Sequence, residues 1–189
     1  TLFRSIDSRA VRAFAVRAVG DAARYASLGD AFGELSRAAT ADSALMVELL
    51  REEYEDCLEH VFRALGVLRP RAGLRSVHEA LLATDEVRRS AAREILEASA
   101  PSAVRRPLLE LLDARARADR HVPPASYEHL LAALLEDRSE SVRCIAAHHA
   151  AERHLVALRS DLVRLRARRS PELVARAFEQ AIARLDAGA

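Results

Sequence analysis

The chain has 189 residues, half of them hydrophobic, with 29 basic and 28 acidic side chains and a net charge of +1. That is enough apolar material to bury a core without covalent staples, and the balanced charge excludes a global field drawing the protein to nucleic acid or an acidic membrane. Cys57 and Cys144 lack CxxC spacing and indicate no disulfide framework or redox motif, which fits a reducing compartment; no apolar run reaches the ~18 residues of a membrane span, and no signal-peptide pattern opens the chain.

Ala, Leu, Arg and Glu dominate over β-branched runs, so the chain reads as all-α. Helices are expected over 8–26, 30–38, 42–68, 73–83, 85–98, 102–116, 125–136, 139–152, 154–167 and 171–186. The first carries the frame VRAFA, Val11 to Ala15. The third contains REEYEDCLEH, whose five carboxylates raise general acid/base work or a di-metal site. Its apolar stripe, Leu50, Tyr54, Leu58, Val61, Phe62 and Leu65, instead leaves Glu52, Glu55, Asp56 and Glu59 on a wet face, and no pair of Glu-x-x-His segments is present.

RPRAG, Arg69 to Gly73, is a clear break. Thr84 is then expected to cap the helix that carries VRRSA, Val87 to Ala91, with Asp85 and Glu86 at its positive end. RHVPPAS, Arg120 to Ser126, is the best linker. Beyond it, Asp137 and Glu140 have capping-box spacing ahead of VRCIA, Val142 to Ala146, and Ser170 with Pro171 should start the last helix.

Within SVRCIAAHHAAERH, Cys144, His148 and Glu152 stand at successive four-residue steps, and a thiolate with neutral imidazole suits zinc. No fourth ligand is recognisable nearby. Packing explains more of the segment: Ile145, Ala146 and His149 share the Val142 face, whereas Cys144 and His148 lie on another side. LRSDLVRLRARR is the strongest basic run. Its Arg159, Arg164, Arg166, Arg168 and Arg169 complement a helix C-terminus and are the side chains expected to meet a partner.

Three copies of VRxxA form a repeat signal. Val and Ala four residues apart share one helix face, and the small Ala lets a neighbouring helix approach closely. Preceded by acidic turns such as EDRSES, the frame resembles the second-helix signature of HEAT repeats, with a degenerate fourth copy in SPELVARAF. The clear copies stand 76 and 55 residues apart, so irregular helices must intervene. LEHVFRALGVLRP, VRRSAAREILEAS and RRPLLELLD further resemble the soluble helical region attached to bacterial relatives of the ATP/ADP translocases, in which a carrier of the major-facilitator type precedes HEAT-like helices. The carrier helices are absent from this sequence, and no transporter binding residue has a counterpart in it. The chain opens on Thr1, which fits a piece of a longer protein.

The resulting expectation is an irregular α-solenoid of HEAT-like antiparallel helix pairs, one domain over 1–189 with a weak boundary near 118–125. No phosphate loop, nucleophile elbow or HExxH segment marks an enzyme, and no metal or cofactor is expected. The implied role is a protein-interaction or regulatory module, at the cytoplasmic face of the inner membrane if the translocase resemblance holds. Its partner would be another protein or the membrane portion of the same chain. A HEAT-like nucleic-acid binder using the arginine face is the alternative, although 4% aromatics and no tryptophan give little for base stacking.

Overall fold

Apolar side chains recurring at three- and four-residue steps fold the chain into nine α-helices, with no strand among the described residues. The structure is a computed structural model that describes residues 7–36, 41–116 and 126–188. The helices are α1 Ser8–Ser36, α2 Ala41–Leu68, α3 Leu74–Leu81, α4 Glu86–Ser99, α5 Ser102–Ala116, α6 Tyr127–Leu135, α7 Glu140–Glu152, α8 Arg159–Arg166 and α9 Glu172–Ala187. A 3-10 turn, Val156–Leu158, leads into α8. The weak boundary expected near 118–125 lies outside the described residues, apart from which the linker RHVPPAS ends on Ser126, whose hydroxyl caps α6.

Two helices expected over 8–26 and 30–38 are one. The buried stripe Ala15, Ala18, Ala22, Tyr25, Ala26 and Phe32 keeps helical spacing through Gly29, so packing overrides the glycine's preference for a break. Three expected caps also move. Asp85, not Thr84, accepts from the Val87 and Arg88 amides; Ser139, not Asp137, caps α7; and Pro171 itself occupies the cap position of α9, leaving Ser170 without that role. Asp137 is buried and accepts from the Ser139 amide at 2.8 Å, so it shapes the turn that presents the cap. Gly73, at φ 61°, closes the RPRAG break in the left-handed region that glycine occupies without a steric penalty.

The chain divides into two units. Unit 1 comprises Thr1–Ala26 and Arg51–Arg120; unit 2 comprises Ser27–Leu50 and His121–Ala189. In unit 1, Phe14 of α1 meets His60 of α2 edge-on, the Phe62 ring stacks on His78 of α3 at 4.5 Å, and Arg93 of α4 forks onto Asp113 of α5. The core here is built on Leu58, Val61, Phe62, Leu65, Leu74, Val77, Leu96, Val104 and Leu108.

In unit 2, α6–α7 and α8–α9 are antiparallel helix pairs. Arg159 bonds Asp186 and Arg166 bonds Glu179, so residue numbers on α8 and α9 run in opposite directions. The pairs lie side by side in the same sense. Glu136 at the end of α6 reaches Arg164 near the end of α8, while Glu152 at the end of α7 pairs with Arg184 in the last turn of α9. Ala146, Ala147, Ala150 and Ala151 are all buried on α7, which packs against both α6 and α9. Such small side chains let helix axes approach closely.

The helix expected over 154–167 begins late because α7 ends in a Schellman turn. The Leu155 amide donates to the Ala150 carbonyl at 2.9 Å and the His154 amide to Ala151 at 3.1 Å, with His154 in the left-handed region at φ 51°. Its ring lies over Gly188, where an added Cβ would stand 2.9 Å from Nδ1.

The VRxxA frame faces inward only in part. Val142 and Ala146 are buried, Ala15 is buried with Val11 half-buried, and the degenerate copy buries Val174 and Phe178. Val87, by contrast, is 78% exposed, and Ala91 is exposed beside it. In α4 the buried face belongs to Ala92 and Leu96; at about 100° per residue, Val87 stands roughly opposite Leu96.

Candidate functional site

The apolar stripe read along α2 is buried throughout: Tyr54, Leu58, Val61, Phe62 and Leu65 form the inner wall of unit 1, and Leu50 is buried in unit 2. One edge of that stripe remains open. A cleft of about 1350 Å³ runs between α2, α3, α4 and the end of α5. Leu58, Phe62, Leu81 and Leu112 give it an apolar floor, and Val67 and Leu82, 48% and 69% exposed, extend that floor to the lip.

The rim is charged, and most of its charge is already spent. Arg63 pairs with Glu59 at 2.6 Å, and Glu55 pairs with Arg51 outside the cleft. Arg89 donates to the carbonyls of Ala83 and Thr84 at 2.8 and 2.6 Å, tying α4 to the preceding turn. Arg93 forks onto Asp113, with Nη2 at 2.9 Å from Oδ2, and its Nε reaches Glu97 at 3.0 Å; the Asp113 hydrogen bond leads in raising its pKa. Among the described residues, Asp56, Glu86 and Arg75 have neither hydrogen bond nor ion pair, and Glu79 acts only through its field on His78. Arg89's carbonyl partners are neutral and leave its charge in place, so the rim carries three unpaired carboxylates, Asp56, Glu79 and Glu86, against two guanidinium groups, Arg75 and Arg89, and is acidic on balance.

His78 sits where floor meets rim. Burial against the Phe62 ring lowers its pKa below the ordinary value, with Glu59 and Glu79 opposing the shift. The carboxylates of REEYEDCLEH thus do face water, but Glu55, Asp56 and Glu59 also line this cleft. The linear pattern of α2 held no sign of it, because the opposite wall comes from α3 and α4. The one local cue was Gly66, a side-chain-free position in a row of large residues, where an added Cβ would meet nothing within 4 Å.

The arginines expected to meet a partner lie on and just beyond α8. Arg159 binds Asp186, with Nη2 at 3.0 Å from Oδ2; Arg164 reaches Glu136 and Asp161, both at 2.7 Å; Arg166 reaches Glu179 at 3.0 Å; and Arg168 reaches Glu136 at 3.5 Å. These bonds hold the Asp186 and Glu136 carboxyls below their ordinary pKa, the arginine hydrogen bond leading in each case. Arg169 is exposed without such a bond among the described residues. Four of the five side chains thus brace α8 against its neighbours, and all four remain partly open to solvent.

In α7, Cys144, His148 and Glu152 have separate surroundings. Burial raises the pKa of the half-buried Cys144 thiol, His148 is exposed, and Glu152 is held by Arg184. Among the described residues no three His, Cys, Asp or Glu side chains gather to hold a metal. His149 does face inward with Val142, at 1% exposure, and Tyr127 of α6 meets its Nδ1. The Arg153 guanidinium lies 4.4 Å above the Tyr127 ring, whose other neighbour is Phe32, edge-on.

Comparisons with family models, curated proteins and solved structures return no match for the chain.

Proposed function

We propose that the chain is a non-catalytic, HEAT-like helical module that binds another polypeptide, with the unit 1 cleft as its principal contact surface. The observation that carries this reading is the apolar lip of the cleft, where Leu82 and Val67 stand exposed beside the half-buried Leu81 and Leu112, hydrophobic surface that a folded chain gains by covering. The side-by-side antiparallel pairs of unit 2 support the HEAT-like part, because each pair covers an apolar face of the next, the logic of stacked repeats. The α8 arginines form a secondary surface in this reading, centred on Arg169. Their existing ion pairs leave the nucleic-acid alternative with little uncommitted positive charge on that helix.

Attachment to a translocase-like carrier at the cytoplasmic face of a membrane rests on the sequence resemblance, which covers roughly residues 8–186. No described helix is long and apolar enough to cross a membrane. The parent reading frame tests it: hydrophobic spans of ~20 residues upstream support the attachment, and their absence removes it.

The binding function is tested by selecting displayed random peptides on the purified chain. Enriched sequences that compete for one surface and are lost in the Leu82→Asp variant support it. No enrichment above an unrelated helical control rejects it.

A further inference from the structure

We infer that the unit 1 cleft receives a basic amphipathic helix. The inference rests on the polypeptide-binding reading and specifies the chemistry of the partner. Its first support is shape. The α2 wall extends from Tyr54 to Val67, which at about 1.5 Å per residue is about 20 Å of helix. The opposite wall presents Glu86, Arg89, Ser90 and Arg93, the spacing of a single helix face. Two such rows with leucines between them form the ridges and groove into which another helix packs. The cleft volume of about 1350 Å³ also exceeds the range of about 300–1,000 Å³ common to small-molecule sites.

Close approach is available at Gly66, where a side chain added to α2 would enter open space. A partner helix can therefore lie near the α2 backbone at that point, with its apolar stripe over Val67 and Leu82.

Charge then selects the partner. Arg63 and Arg93 are paired with this chain's own carboxylates and Arg89 is bonded to neutral carbonyls, which leaves Asp56, Glu79 and Glu86 against Arg75 and Arg89. Lysines or arginines flanking the stripe of the bound helix complement those three carboxylates. The same carboxylates repel phosphate polymers and anionic lipid headgroups, so nucleic acid and membrane surface are disfavoured at this cleft.

The test measures fluorescence anisotropy of two labelled peptides on the intact chain. Each is about five helical turns long with leucines on one face; one carries lysines beside the stripe and the other glutamates. The basic peptide should bind at least about tenfold more tightly, with the difference shrinking in high salt. Gly66→Trp, which projects into the cleft from a position where an added Cβ meets nothing within 4 Å, should abolish binding. The combined Asp56→Lys, Glu79→Lys and Glu86→Lys variant should reverse the preference. If Gly66→Trp is misfolded by circular dichroism, Leu82→Asp at an exposed position takes its place.

Equal affinity for both peptides, preference for the acidic one, or binding undiminished by a filled cleft overturns the inference. So does self-association or anionic-vesicle binding that Gly66→Trp abolishes, since either assigns the cleft to another occupant. Failure of the basic peptide alongside successful selection of other peptides sinks the inference and leaves the binding function standing. Failure of both sinks both.

Discussion

The Tyr127 hydroxyl lies 2.6 Å from Nδ1 of His149, joining the first turn of α6 to the buried face of α7. A histidine at 1% exposure must exchange water for protein contacts, and this phenol supplies one of them. Tyr127→Phe keeps the ring between Phe32 and Arg153 but removes the hydroxyl. It should cost about 1 kcal/mol by urea unfolding. An unchanged midpoint and slope would show that the contact contributes nothing.

The exposure of Val87 sets up a paired measurement with Val142. Val87→Glu should change stability by less than about 0.5 kcal/mol, whereas Val142→Ala, at a fully buried position, should cost about 1–3 kcal/mol. Equal destabilisation would mean that Val87 is buried in solution.

The reason Val87 was misplaced explains how far the sequence was legible. On α2, six large apolar residues agree on one face and no competing stripe exists, so pattern and structure coincide. In α4, the VRxxA frame competes with Ala92 and Leu96, and the adjacent pair Ala91–Ala92 fits either alignment. Only the packing of α3 and α5 decides between them. At Gly29 a single poor helix former carries less weight than a stripe continuing from Tyr25 to Phe32, so the two helices expected over 8–26 and 30–38 are one. The arginine run on α8 was visible as a run, but its acceptors Glu136, Glu179 and Asp186 lie on other helices. The cleft was illegible for the same reason: its walls are distant in the chain, and no residue type marks a space that is left unfilled.

His78 should make stability depend on pH. Its folded pKa lies below the ordinary value of 6.5, so below about pH 6.5 the unfolded chain binds a proton that the folded chain resists. The contribution is fully present above that pH and is lost as pH falls toward the folded pKa. His78→Gln should flatten this part of the curve, as read from thermal midpoints across the range. A midpoint in wild type that rises on acidification through this window contradicts the assignment.

Gly20 lies exposed within α1, and a Cβ placed there meets nothing within 4 Å. Gly20→Ala should therefore stabilise the protein by about 0.5–1 kcal/mol through reduced freedom of the unfolded chain. A lower midpoint in differential scanning calorimetry would reveal a contact that the helix surface does not show.

The alanine run of α7 constrains how descendants of this sequence can diverge. Ala146, Ala147, Ala150 and Ala151 sit where nothing bulkier fits without displacing α6 or α9, so drift there is confined to residues of similar size. Val67 and Leu82, exposed at the cleft lip, carry no such restriction. A lineage built on this chain would accordingly keep α7 nearly frozen while the exposed positions of the cleft lip change.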